Sequence, residues 1–150
     1  RSMYTFWKRT VNSPMMGTFD APEREFCTIR RSRTNTPLQA LLLQNGPQFV
    51  EAARRLGRRM ILEGGESVEQ RIIHGFRLVT ARRPTPGEIR ILHEVYEQRL
   101  ALYRKDPSAA ATLLSVGALP RDQELDTAEH ATWTVIGRLL LNLDETITRG

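Results

Sequence analysis

The sequence predicts an all-α protein, an irregular bundle of about five to six helices preceded by an extended N-terminal loop segment. Two patterns predict the helices: proline and capping residues recur where helices would begin, and the apolar residues between them recur every three to four positions. A third observation, 40% hydrophobic and 26% charged residues over 150 positions, is typical of one globular domain with its own core.

Six helix starts are predicted from capping residues and prolines. In four of them a capping residue is followed three positions later by Gln or Glu, the spacing of a capping box, at Thr36, Ser67, Thr85 and Asp126. Proline follows Thr36 and Thr85 directly, at the first helical position, where its missing N–H costs nothing. Proline after Gly46 and after Asp106 predicts the other two starts.

Apolar stripes follow these starts. Helical spacing is found at 49–60, 68–79 and 89–103, and a short Ala/Leu-rich helix is predicted at 107–116. Residues from 128 to about 143 are apolar on most sides, and a helix of that kind is expected at the centre of a bundle.

The N-terminal third differs from the rest. Residues 10–35 have no repeating pattern of their own and are predicted to form an extended loop, with a short strand or extended stretch at 25–29. Because the chain opens without an initiator Met, it is interpreted as an excised piece of a longer protein. Residues 1–9 are interpreted as the end of an upstream helix. Residues 36–150 would form the bundle. The whole, 1–150, is interpreted as a single helical domain that is the C-terminal part of a larger one.

The charge is positive and unevenly distributed. The net charge is +5, and residues 1–60 hold eleven Lys/Arg against four Asp/Glu. Twenty of the 22 cationic residues are arginines, whose planar guanidinium suits carboxylates and phosphates, although a GC-rich genome produces the same bias. No apolar run approaches the roughly 20 residues of a spanning helix. We therefore expect no membrane span.

Several stretches of the sequence resemble a known family. The longest is 19–41, FDAPEREFCTIRRSRTNTPLQAL, which continues as NGPQFVEAAR at 45–54. Shorter stretches of the same kind lie at 4–10, 76–79, 82–85 and 141–149. On these motifs the chain closely resembles the planctomycete PSD family, a domain of unknown function (number 1553) found in large cytochrome c-associated proteins.

This resemblance implies a cellular location and a kind of parent protein, but no established activity. The parent polypeptide would be exported, extracytoplasmic (periplasm-like or secreted), and would carry a c-type cytochrome module and a second domain of unknown function. This chain lacks a Cys-x-x-Cys-His motif, so no cofactor is expected in it and any haem would be bound elsewhere in the parent.

An arginine-rich loop is the predicted site. Its guanidiniums would bind a carboxylate, sulfate or phosphate, helped by the free N–H groups at the start of the Thr36 helix. The candidate anion- or partner-binding residues are Asp20, Arg24, Arg30, Arg31, Arg33 and Asn35. The alternative is an internal network in which Asp20, Glu23 and Glu25 pair with these arginines and fix the loop to the bundle.

Other reactive side chains have structural interpretations that we favour. Cys27 lies near Arg30 and Arg31, which would favour a thiolate, but a lone cysteine is usually a small buried hydrophobe. No metal site is expected, because the three histidines lie on separate helices without ligand spacing, at His74, His93 and His130.

Two further motifs are also interpreted as structural. Met15 and Met16 are expected to pack rather than to ligate a partner's haem. The helix predicted to begin after Gly46 carries four arginines, Arg54, Arg55, Arg58 and Arg59. They could contact nucleic acid, but a solvated face that pairs with Glu51 and Glu63 is the favoured interpretation.

Three functions are compatible with these features. The first is a non-catalytic interaction or structural module that contacts the other modules of its parent polypeptide through residues 10–35. The second is part of an enzyme that binds an anionic substrate, such as a sulfated or carboxylated glycan, through the 20–35 loop. The third is nucleic-acid binding.

Overall fold

A computed structural model describes residues 13–22, 27, 29, 34 and 36–147, and every regular element within them is a helix. In chain order the helices are α1 (Pro14–Thr18), α2 (Pro37–Asn45), α3 (Pro47–Glu63), α4 (Val68–Thr80), α5 (Pro86–Lys105), α6 (Pro107–Leu114), α7 (Thr127–Leu141) and α8 (Asp144–Ile147). None of these helices is long and apolar enough to cross a membrane. The all-α prediction is confirmed.

The helices begin where the capping residues predict. At Thr36, Ser67 and Thr85 the cap side chain accepts a hydrogen bond from the backbone N–H three residues on, and the Gln or Glu at that position bonds back to the cap N–H. Asp106 and Asp126 cap α6 and α7 through their carboxylates. Each such cap satisfies N–H groups that have no partner within the helix and contributes about 1 kcal/mol.

Helix α7 is the centre of the bundle, as its sequence predicts. It contacts α2, α3, α4, α5, α6 and α8, and Trp133, Ile136 and Leu140 on it are fully or almost fully buried. The main core cluster adds residues of α3 and α4, among them Met60 and Phe76. Burying each large apolar side chain contributes about 1.5–3 kcal/mol, so this cluster is the main source of the bundle's stability.

Helices α3 and α7 cross at very close range, and glycines make this possible. A Cβ atom on Gly57 would lie 2.8 Å from the carbonyl carbon of Trp133, and one on Gly137 would lie 2.7 Å from the carbonyl oxygen of Ala53. Both contacts are with backbone, which cannot rotate away as a side chain can. The small residues therefore set the distance between the two helices that carry the site described below.

Two sequence-based expectations about the N-terminal third are wrong. The segment predicted as an extended loop contains α1, which starts at Pro14 and is held by a 2.9 Å hydrogen bond from Thr18 Oγ1 to the Pro14 carbonyl. Five residues are too few to display an apolar repeat, so periodicity could not reveal this helix. Cys27, expected to be buried, is exposed. Met16 is buried, as expected for a packing residue.

Arg82 joins the ends of three helices. Its guanidinium binds Glu88 of α5 with distances of 2.6 and 3.0 Å and Glu145 of α8 with distances of 2.6 and 2.8 Å. It also lies 4.7 Å from the ring centroid of Phe76 in α4. Hydrogen bonds from Arg82 and Thr85 lower the pKa of Glu88 from 4.5 to about 2, and Arg82 also lowers the pKa of Glu145.

This network is expected to make stability depend on acid pH. A carboxyl with a depressed folded-state pKa stabilises the fold above its unfolded pKa, and that contribution is lost as pH falls from about 4.5 towards 2. Arg82→Gln is expected to lower the urea midpoint of unfolding at pH 7. The difference in midpoint between this variant and wild type should become smaller as the pH falls from about 4.5 towards 2. Arg83→Gln is the matched control, because Arg83 is exposed and its side chain bonds to no described residue. A gap that stays constant down to pH 2 would contradict this role.

Candidate functional site

The structure describes one of the six predicted site residues. Arg24, Arg30, Arg31, Arg33 and Asn35 lie outside the described residues. Asp20 has a φ of 55° and accepts hydrogen bonds from the Thr34 backbone N–H at 2.8 Å and from Thr34 Oγ1 at 2.7 Å.

A buried glutamine holds the same part of the chain. Gln39, only 1% exposed, donates from Nε2 to the Thr18 carbonyl at 2.7 Å and to Thr34 Oγ1 at 3.0 Å. Asp20 and Gln39 therefore attach position 34 to α1 and α2, which is a structural use of the Asp20 carboxylate.

The basic residues of α3 do not form the single solvated face that the sequence suggested. Arg59 pairs with Glu63 at 2.9 Å as expected, but Arg58 pairs with Asp122 at 2.6 Å, and Arg54 is only 2% exposed. Arg54 is buried because it lies four residues after Val50 and next to Ala53, on the stripe that faces α7. The expectation of a solvated Arg54 is wrong.

Arg54 is a buried cation whose bonds go to backbone carbonyls. Nη1 donates to the carbonyl of Leu114, and Nη2 donates to that of Leu119 at 2.6 Å. No described carboxylate lies within 4.0 Å of its guanidinium. Burial lowers the pKa of Arg54, and the nearby Glu51 opposes this. Arginine stays charged in proteins, so a positive charge lies in the interior without a paired anion.

Arg54 lines a cavity of about 260 Å³ between α3, the start of α7 and the loop that joins α6 to α7. The lining residues are Arg54, Arg55, Arg58, Pro120, Arg121, Asp122 and His130, and we call this the arginine cavity. Four guanidiniums surround it against one carboxylate, which is already bonded to Arg58. The cavity is therefore electropositive.

His130 contributes a buried nitrogen without a partner. The side chain is 1% exposed, and its Nε2 lies 3.2 Å from the Arg54 carbonyl oxygen. Because a carbonyl only accepts, Nε2 carries the proton in the neutral ring and Nδ1 has the lone pair. Nδ1 is buried and has no hydrogen-bond partner among the described residues. Burial lowers the pKa of His130, so the ring is neutral at pH 7.

The loop beside the cavity is held from two sides. Glu51 accepts hydrogen bonds from the backbone N–H groups of Ala118 at 2.7 Å and Leu119 at 3.4 Å, while Arg54 binds the Leu119 carbonyl. Gly117 adopts a φ of +111°, and a Cβ atom there would lie 2.4 Å from the Glu51 carboxylate. Arg121 is attached to Thr127 at 2.8 Å. The cavity wall is therefore preorganised.

These groups are suited to binding an anion. Guanidiniums on a fixed frame give charge-assisted hydrogen bonds to carboxylate, sulfate or phosphate oxygens. Among the described residues, no group of three His, Cys, Asp or Glu side chains is arranged to hold a metal. The sequence pattern missed this site, and the only available signal was the position of Arg54 inside the apolar stripe of α3.

Residues 1–96 match the protein family described as PSD1, Protein of unknown function (DUF1553). Searches of curated proteins and of solved structures give no significant match.

Proposed function

The chain belongs to the PSD1 (DUF1553) family, and we propose that it is a helical interaction module that binds an anionic group in the arginine cavity. One observation carries the proposal: Arg54 is only 2% exposed, its guanidinium has no carboxylate partner among the described residues, and the residue lines an open cavity. A buried charge that no carboxylate contacts directly is costly, and an anion bound in the cavity would offset that cost.

The energetic argument concerns Arg54 and its neighbours together. Hydrogen bonds to charged groups contribute about 1.5–3 kcal/mol each, more than neutral ones, and planar guanidiniums bind oxyanions in a bidentate way. Arg55 is exposed at the rim of the cavity and bonds to no described side chain, so its guanidinium is available to a ligand. Binding needs no large rearrangement because the loop is already held.

An interaction role is favoured over catalysis. The cavity offers guanidiniums, a carboxylate bonded to Arg58, and one neutral imidazole, but no hydroxyl or thiol nucleophile paired with a base. We propose that the anionic group belongs to another module of an exported, cytochrome-associated parent polypeptide. The resemblance of the sequence to such proteins supports this partner.

Nucleic-acid binding is less well supported. Of the four arginines of α3 that suggested it, Arg54 is buried and two others are paired with carboxylates. A continuous exposed basic face, which phosphate-backbone binding requires, is therefore absent from this helix.

The test is a sulfate titration at constant ionic strength, with chloride replaced by sulfate and backbone amide shifts followed by NMR. We expect saturable shifts at residues 118–122 and 130. Arg55→Gln should weaken sulfate binding by about three- to tenfold, which corresponds to the loss of one partly solvated charged contact.

Arg99→Gln is the matched control for net charge. Arg99 is exposed on α5 and does not line the cavity, so this variant should bind sulfate within about twofold of wild type. Shifts that do not saturate, or equal weakening in the two variants, would show that sulfate is only screening surface charge, and the proposed function would be wrong.

A further inference from the structure

A second depression adjoins the arginine cavity and shares part of its wall. This groove has a volume of about 480 Å³ and is lined by residues of α6 and of the following loop. Arg54, Pro120 and Arg121 line both spaces. The cavity and the groove are therefore neighbouring spaces that have Arg54, Pro120 and Arg121 as a common wall.

The groove differs from the cavity in chemistry. Apart from the shared arginines, most of its side chains are small or apolar, namely Ala111, Leu114, Ala118, Leu119 and Pro120. Leu119 is 47% exposed although it is a large hydrophobic residue, while Leu114 below it is fully buried. An apolar group placed in the groove would cover Leu119 and remove apolar surface from water.

From this juxtaposition we infer that the cavity and the groove form one site for a carboxylate that carries a short apolar group. The carboxylate would lie among the guanidiniums, and the apolar group would lie against Ala111 and Leu119. Two sources supply this chemistry: the free carboxyl terminus of a polypeptide ending in an apolar residue, and a small aliphatic acid. This inference rests on the proposed function, because it assigns the ligand class of the same cavity.

The wall between the two spaces supports a single site. Arg54 donates to the carbonyls of Leu114 and Leu119, so the cation of the cavity is attached to the two leucines of the groove. His130, whose buried Nδ1 has no hydrogen-bond partner among the described residues, lines the cavity and not the groove. Polar groups thus converge at one end and apolar groups at the other, the arrangement of pockets that orient a ligand with two unlike ends.

The experiment compares pairs of probes that differ either in the apolar group or in the carboxylate. Calorimetry would measure acetate, hexanoate, acetyl-glycyl-leucine and the C-terminal amide of that peptide, with sulfate as the reference anion. Hexanoate is expected to bind at least tenfold more tightly than acetate, because each buried methylene strengthens binding by about fourfold. The peptide acid should likewise bind at least tenfold more tightly than its amide.

A variant that fills the groove separates the two ends of the site. Ala111→Phe should reduce hexanoate binding to the level of acetate and leave sulfate binding within about twofold of wild type. Ala101→Phe is the matched control, because Ala101 is exposed on α5 and does not line the groove, and it should change neither.

The outcomes distinguish this inference from the proposed function. If sulfate and acetate bind but hexanoate and the peptide acid bind no more tightly than acetate, the inference is wrong and the anion site remains. If none of the anions binds, the proposed function has failed first. If the peptide acid binds more tightly than its amide, the carboxyl terminus of a polypeptide is identified as the source. If hexanoate binds more tightly than acetate, a small aliphatic acid is identified as the source. Either result supports the inference. Equal binding of the peptide acid and its amide excludes the chain terminus as the source, and if hexanoate also binds no more tightly than acetate, the inference is overturned.

Discussion

Gly137→Ala is expected to lower the free energy of unfolding by about 3 kcal/mol, at the upper end of what overpacking a core usually costs. The added methyl carbon would lie 2.7 Å from the Ala53 carbonyl oxygen, so α3 and α7 would have to move apart. Separation of these helices would loosen the packing around Trp133 and Ile136, which are fully buried at the same crossing. Gly57→Ala should behave in the same way, since its methyl would meet the backbone of Trp133 at 2.8 Å.

Urea denaturation of these variants would measure the effect, with Gly87→Ala as the matched control. Gly87 lies in the first turn of α5, where a Cβ atom would meet only Thr85 Oγ1 at 4.0 Å. Alanine is favoured over glycine in a helix by roughly 0.5–1 kcal/mol, so this control should be slightly more stable than wild type. If Gly137→Ala proved as stable as Gly87→Ala, close contact would not determine the α3–α7 crossing.

Arg54→Ala is expected to cost about 3 kcal/mol of stability and to abolish sulfate binding. The carbonyls of Leu114 and Leu119 would lose their donors, and leaving the buried Leu114 carbonyl unsatisfied costs about 1–3 kcal/mol, while the Leu119 carbonyl is only partly buried. The loop would also lose one of its attachments to α3 and keep those of Glu51 and Arg58. Arg54→Lys keeps the charge and can reach one carbonyl, so we expect roughly half the loss of stability and weakened but measurable sulfate binding.

Denaturation with and without sulfate would separate the two roles of Arg54. Sulfate should raise the urea midpoint of wild type, raise that of Arg54→Lys less, and leave that of Arg54→Ala unchanged, because a ligand stabilises only a fold that binds it. Wild-type stability in Arg54→Ala would show that the carbonyl bonds are not important for the loop. An undiminished sulfate effect in that variant would remove Arg54 from the site.

The predicted site, the 20–35 loop, and the site found in the structure, the arginine cavity, are different because the arrangement of arginines along the sequence does not show which of them are buried. The 20–35 loop attracted attention through its local density of charge, and all its candidates except Asp20 lie outside the described residues. Arg54 was predicted to be solvated because three other arginines lie within five residues of it in the sequence. The sequence shows where cationic residues cluster, but only the tertiary structure shows that Arg54 is buried without a carboxylate in contact.

The sequence by itself determined the six helices α2 to α7. Caps at Thr36, Ser67 and Thr85 act over three residues, and apolar stripes act over one or two turns, so both are local and can be read directly. The arginine cavity was decided only by the tertiary structure. His130 meets the Arg54 carbonyl across 76 positions, and Arg54 meets Leu114 across 60. The glycine crossing brings the backbones of α3 and α7 together, and α6, which packs against α7, carries Leu114 to Arg54. No local pattern specifies which distant residues will meet there.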